Sequence, residues 1–264
     1  MLGAIAGDVI GSVYERFPVR STEFPLFPRR ARFTDDTVLT VATAQAILEG
    51  GDYREAYRSW GRRYPAAGYG PGFKRWLKQD DPPALGSMGN GSAMRVSPVG
   101  LAFNSEDQVL HEAERSAIVS HDHPEGIKGA QAVALAVYLA RTGATKGDIR
   151  REITDRFAYN LDRTIAEIRP TYRIGVRFDM SCEGSVPEAI LAFLDGESYE
   201  DAVRLAISLA GDSDTQACIA GAIAEAYFHV IPEKIISEVR SRLTSEMISV
   251  LEAFASTYPL QPAP

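Results

Sequence analysis

Apolar positions recur along this chain mainly at the three- and four-residue spacing of helices, and few segments alternate as strands do. Ser105-Glu106-Asp107-Gln108 reads as a capping box and predicts an amphipathic helix to about Ser120. Thr145-Lys146-Gly147-Asp148 and Ser198-Tyr199-Glu200-Asp201 repeat that signature ahead of further helices. From Pro124 to Leu139 the chain is Ala-rich and apolar on most faces, which predicts a central, buried helix. Thr215 to Ile231 reads the same way, and its small residues Ala217, Ala220, Gly221, Ala222 and Ala224 permit close helix packing. Further helices are predicted from Thr34 to about Leu48 and near Pro232–Leu243 and Glu246–Ala255. Only Tyr172 to Phe178 carries period-2, β-branched character, and Gly175 interrupts it. No repeat of 20–50 residues is visible beyond a short echo between Gly3–Gly7 and Ala220–Ala224. Pro/Gly-rich stretches at Phe17–Arg30, Tyr64–Gly72 and Asp80–Gly91 read as long loops within one helical domain spanning 1–264.

With 264 residues, 45% of them apolar, the chain can build a sizeable core, and disordered, collagenous and coiled-coil classes are excluded. The net charge of −7 argues against general binding to nucleic-acid backbones. Cys182 and Cys218 lack a CxxC partner, so neither a disulfide framework nor a zinc site follows, and a reducing compartment suits them. The first residues carry no basic leader and meet an acid at Asp8. The longest apolar stretch, Ala130–Ala140, falls short of the ~20 residues that span a bilayer. A soluble, cytoplasmic protein is expected, without membrane partners.

Two segments share one build. Thr34-Asp35-Asp36-Thr37 and Asp212-Ser213-Asp214-Thr215 each place two carboxylates and a hydroxyl at a predicted helix start. N-capping accounts for either one alone, since Ser, Thr and Asp are preferred caps. Capping needs one such group, however, and paired acids near an apolar interior repel unless a cation offsets them. All the donors are oxygens, the ligands of hard divalent ions, and four acids balance two such ions in charge. Zinc is disfavoured because neither segment holds His or Cys. The run Gly86-Ser87-Met88-Gly89-Asn90-Gly91-Ser92 reads equally as a phosphate-approaching loop or an ordinary turn. Ser120-His121-Asp122-His123-Pro124 opens the central helix, where capping and ligand hydrogen bonding outweigh a metal role.

Taken together, these segments resemble the ADP-ribosylglycohydrolase family along the whole chain. The shared motifs are Gly3–Gly11 followed by Glu15, Phe33-Thr34-Asp35-Asp36-Thr37, Gly89-Asn90-Gly91-Ser92-Ala93-Met94-Arg95 and Gly211-Asp212-Ser213-Asp214-Thr215. The resemblance implies an all-α fold, a single compact orthogonal multi-helix domain, with two Mg²⁺ (or Mn²⁺) at the base of a cleft. It implies Thr34, Asp35, Asp36, Asp212, Asp214 and Thr215 as metal ligands. Glu15 is implied as a loop carboxylate that reaches the metal centre and moves when substrate binds, and Asp8 as a packing or capping residue. Tyr69, Gly70, Ser87, Met88, Gly89, Asn90 and His121 are implied to contact ADP-ribose. Met88 stands where related members carry an aromatic residue that stacks on adenine, although a thioether also packs on rings. Gly68-Tyr69-Gly70, Gly86-Ser87 and Cys182–Pro187 are most similar to members that cleave O-linked, serine-type ADP-ribose.

The expected reaction is hydrolysis at the anomeric carbon of the distal ribose of an ADP-ribosylated protein or small conjugate, by a monomer. Glu15, Asp36 and Asp214 are the expected catalytic acids. A non-catalytic ADP-ribose binder and a Mg²⁺-dependent nucleotide phosphohydrolase are the competing readings. They differ in product: none, inorganic phosphate, or free ADP-ribose.

Overall fold

Ser105 Oγ accepts from the Gln108 N–H, Thr145 and Asp148 form a reciprocal capping box, and Ser198 Oγ accepts from the Asp201 N–H. Each of these three helix starts is thus fixed by a capping side chain. These caps belong to a computed structural model that describes residues 1–172 and 178–260. Among the described residues the chain forms α1 (Leu2–Gly11), α2 (Asp35–Glu49), α3 (Tyr53–Arg63), α4 (Pro71–Lys78), α5 (Ser97–Ala102), α6 (Glu106–Ile118) and α7 (Pro124–Arg141). It continues with α8 (Lys146–Phe157), α9 (Ile165–Ile168), α10 (Cys182–Asp195), α11 (Tyr199–Ile207), α12 (Ser213–Phe228), α13 (Glu233–Arg240) and α14 (Ser245–Thr257). Short 3-10 turns cover Asn90–Ser92 and Arg169–Thr171. No strand forms among the described residues, and a single bridge pairs Gly89 with Ser181. The strand-like character at Tyr172–Phe178 lies mostly on 173–177, outside the described residues. None of the described helices is long and apolar enough to cross a membrane.

The central position expected of α7 and α12 holds. Every residue of α12 from Ser213 to Ala226 is buried, and α12 packs against α1, α7, α10 and α11. It ends before the expected Ile231, because His229 adopts a left-handed φ of 58° and its N–H caps the Glu225 carbonyl.

The α1–α12 crossing is built on absent side chains. Gly3, Gly7 and Gly11 recur every four residues and form one bare stripe. A methyl group at Gly7 would stand 2.0 Å from the Ala217 carbonyl oxygen; at Gly3 it would be 2.5 Å from Gly221 O, and at Gly11 2.4 Å from Ser213 O. The helices therefore touch backbone to backbone. The weak sequence echo marks the two faces that meet, since Gly221 is equally tight against Gly3. This crossing sets Asp8, beside the stripe, against the first turn of α12.

Candidate metal centre and ligand cleft

Three helix ends converge at the foot of a cleft of about 620 Å³. Helix α1 brings Asp8, the start of α2 brings Thr34, Asp35 and Asp36, and the start of α12 brings Asp212, Asp214 and Thr215. One carboxylate oxygen each of Asp8, Asp36 and Asp214 lies within 4.8 Å of the others. Glu15, Asp212 and Asp214 form a second such set, so Asp214 belongs to both.

Asp8 is the organising acid. Its Oδ2 accepts from the Thr34 N–H at 2.9 Å, the Thr37 N–H at 3.1 Å and the Thr37 hydroxyl, and its Oδ1 accepts from Thr34 Oγ1 at 2.6 Å. Four donors meet a carboxylate that offers roughly four lone-pair sites. Asp8 thus caps α2 from another helix, as the capping expectation had it, with three of the four bonds on Oδ2 and one on Oδ1. Asp36 is the opposite case. Its Oδ2 lies 3.3 Å from Thr34 Oγ1, whose hydrogen is directed to Asp8 at the shorter distance, and its buried Oδ1 has no partner. Asp212 is held by Asn90, whose Nδ2 donates to Asp212 Oδ2 at 2.7 Å and to Ser185 Oγ at 3.1 Å. The Thr215 N–H donates to Asp214 Oδ1 at 3.0 Å.

None of these acids forms an ion pair with Lys or Arg among the described residues. Burial first, then repulsion from neighbouring acids, drives Asp36 and Asp214 well above the ordinary carboxylate range. Burial raises Asp8 and Asp212 too, and it brings Asp35 up to about 7. Partial desolvation, then Asp212 and Asp8, raises Glu15, which stays solvent-exposed at the cleft side. An orphaned oxygen among concentrated, uncompensated carboxylates and hydroxyls is the donor set of a hard divalent cation. The residues present fit the ions that the motifs imply.

The other expected ligand contacts gather around the same cleft. Tyr69, Gly70, Ser87, Gly89, Asn90 and His121 line it with the acids. Gly68, at φ 122°, presses on Asp35: a Cβ there would come within 2.8 Å of its Oδ1. This fixes the 64–70 loop as one wall. Met88 departs from expectation, being about half exposed and not lining the cleft. It sits in the extended stretch that bridges to Ser181, where successive side chains alternate sides. His123 is a cap, its Nδ1 accepting from the Glu125 N–H at 3.1 Å.

Two participants escaped the sequence reading. Asp8 was expected only to pack or cap, and its place among the acids comes from the α1–α12 crossing. Arg95 lines the cleft yet is fully buried; the sequence reading placed it at the end of the Gly89–Arg95 motif and gave it no role.

An all-helical scaffold carries an oxygen-only acid cluster that could hold metal ions at the foot of a cleft, and the protein is of the class of hydrolases that act on glycosidic bonds. The chain belongs to the ADP-ribosylglycohydrolase family, whose model, described as ADP-ribosylglycohydrolase, matches residues 1–261. It is 30% identical to the ADP-ribosylhydrolase ARH3 of Mus musculus, over 88% of this chain and 84% of that protein. It is 24% identical to the ADP-ribosylarginine hydrolase Tri1 of Pseudomonas putida, over 87% of this chain and 70% of that one. A solved chain described as an ADP-ribosylglycohydrolase-related protein complex shares the architecture with a TM-score of 0.74 at 25% identity, covering 97% of this chain and 95% of that chain.

Proposed function

We propose that this protein is a Mg²⁺- or Mn²⁺-dependent hydrolase that releases ADP-ribose from O-linked, serine-type conjugates on proteins or small molecules. The observation that carries the reading is the unpartnered, buried Asp36 Oδ1 at the cleft foot, where two carboxylate sets share Asp214. Thr34, Asp35, Asp36, Asp212, Asp214 and Thr215 would hold two ions, with Asp214 common to both. Bound there, the ions would supply Lewis-acid polarisation and a template for the ribose hydroxyls.

The chain's own groups do the rest. Asn90 keeps Asp212 turned inward, and Asp8 keeps the first turn of α2 in place. Tyr69, Gly70, Ser87 and Gly89 bound the ADP-ribose, and His121 offers a ring nitrogen between Gly89 and Gly91. Breakage of the C1–O bond of the distal ribose develops positive charge on the ring, which Asp36 and Glu15 oppose. Glu15, on the open side, takes a proton from the attacking water; the water oxygen bonds to C1, and a proton is returned through solvent to the departing oxygen, which leaves as the free hydroxyl. The serine preference rests on the resemblance of Gly68-Tyr69-Gly70, Gly86-Ser87 and Cys182–Pro187 to O-linked members, and identity is lower to the relative named as an arginine hydrolase, 24% against 30%. Cys182 and Cys218 are free and buried, which supports a cytoplasmic setting.

The test is a substrate panel with and without Mg²⁺ or Mn²⁺. Metal-dependent release of ADP-ribose, faster from a seryl than an arginyl ADP-ribose peptide, is expected. The reverse order removes the serine preference, and release of inorganic phosphate in place of ADP-ribose removes the glycosidic assignment.

A further inference from the structure

Behind the ligand wall lies a buried polar chain that the reaction above does not use. Arg95 is fully buried, and its guanidinium lies 4.1 Å from the centroid of the Tyr57 ring with no carboxylate paired to it. Its Nη2 donates to the Ser116 carbonyl at 3.1 Å and to Ser120 Oγ at 2.9 Å, while Nε and Nη1 have no partner. Ser120, also fully buried, has its Oγ 2.8 Å from Nδ1 of His121.

We infer that Arg95 and Ser120 are positioning residues that lock His121 as its neutral Nε2–H tautomer, a hydrogen-bond donor aimed at the ligand. A guanidinium only donates, so Ser120 Oγ accepts from Arg95 and keeps its own hydrogen to give. His121 Nδ1 is the acceptor at hand for that hydrogen, and a buried hydroxyl hydrogen left without an acceptor is costly. Nδ1 is therefore unprotonated and the ring proton sits on Nε2. Burial, and then the Arg95 charge, disfavours the doubly protonated ring. Nε2 faces the glycine loop: a Cβ at Gly91 would come within 2.9 Å of it, and one at Gly89 within 3.8 Å. The bare loop leaves that N–H open to the cleft. The inference rests on the proposed activity only for the identity of the ligand.

The test is a long-range ¹H–¹⁵N correlation spectrum of ¹⁵N-histidine-labelled protein in Mg²⁺, with His121→Asn identifying the resonance among four histidines. The wild type is expected to show the Nε2–H pattern; an Nδ1–H pattern or an imidazolium overturns the inference without recourse to any variant. Ser120→Ala is expected to lose the pure Nε2–H pattern and to bind ADP-ribose about threefold to tenfold more weakly. A Ser120→Ala protein that melts lower yet keeps both the pattern and the wild-type affinity also overturns it. The tautomer is read without ligand, so failure of the wild type to bind ADP-ribose would refute the proposed activity and leave the relay to be decided by the spectrum.

Discussion

Substituting Gly7 by alanine adds one methyl group far from any ligand contact, and it should damage both stability and turnover. The added carbon would stand 2.0 Å from the Ala217 carbonyl oxygen, 2.4 Å from its carbon and 2.8 Å from the Cys218 nitrogen. Ordinary contact begins near 3.4 Å, so α1 must retreat by about 1.4 Å at the crossing. Every offending atom is backbone, and no rotamer change on α12 relieves the clash. Overpacking of this kind costs about 1–3 kcal/mol, which for a chain of this size lowers the melting temperature by about 2–12 °C. Asp8 sits on the retreating helix and clamps the first turn of α2, so the acids separate. A misplacement of about 1 Å at reacting groups costs on the order of 100-fold in rate. Differential scanning calorimetry and kcat/KM for ADP-ribose release check both halves. Gly147→Ala is the control: its Cβ would meet only Thr145 Oγ1, at 3.7 Å, and should leave activity intact. A Gly7→Ala enzyme with wild-type kcat/KM would refute the claim that this crossing sets the spacing of the acids.

The remaining predictions concern the charge at the cleft foot. Asp214→Ala should abolish metal-dependent ADP-ribose release while circular dichroism keeps its helical amplitude, since Asp214 belongs to both carboxylate sets. Asp36→Asn should raise the melting temperature of metal-free protein, by about 2–4 °C per kcal/mol recovered, and remove the stabilisation that Mg²⁺ confers on the wild type. For pH, the carboxyls of Asp35, Asp36 and Asp214 are raised in the fold, so the metal-free folded state holds protons more tightly than the unfolded chain. Their stabilising contribution is complete below the ordinary value of 3.8 and is lost as pH rises through about 7 for Asp35. Between pH 5.5 and 8 the melting temperature without metal should therefore fall, and saturating Mg²⁺ should flatten that slope. A metal-free protein that gains stability across this range would contradict the burial of uncompensated acids.

Much of this site could be read before any coordinates, because the chemistry it needs is local in sequence. Thr34–Thr37 and Asp212–Thr215 each pack acids and hydroxyls into one helical turn, and a purely structural cap does not need that density. The Pro/Gly-rich loops at 64–72 and 80–91 were equally legible, and they supply the cleft walls. Asp8 was legible only as a cap. Its partners Thr34 and Thr37 lie 26 and 29 residues away, and nothing local shows a helix-interior acid entering an acid cluster. The exposure of Met88 was not legible, because a glycine-rich run gives no sign of which residues are half exposed beside a cleft. The role of Arg95 was not legible either, since it comes from Ser116, Ser120 and Tyr57, contributed by α6, its trailing turn and α3.

The hydrogen bonding of Asp8 bears on how the apoprotein behaves. Its four bonds are made wholly within the polypeptide, so stripping the cations leaves the start of α2 anchored and the glycine-lined crossing closed. The vacated site should remain preassembled, unlike small zinc modules that unravel under chelators. Treatment with EDTA followed by replenishment should then cycle catalytic competence on and off without any refolding lag.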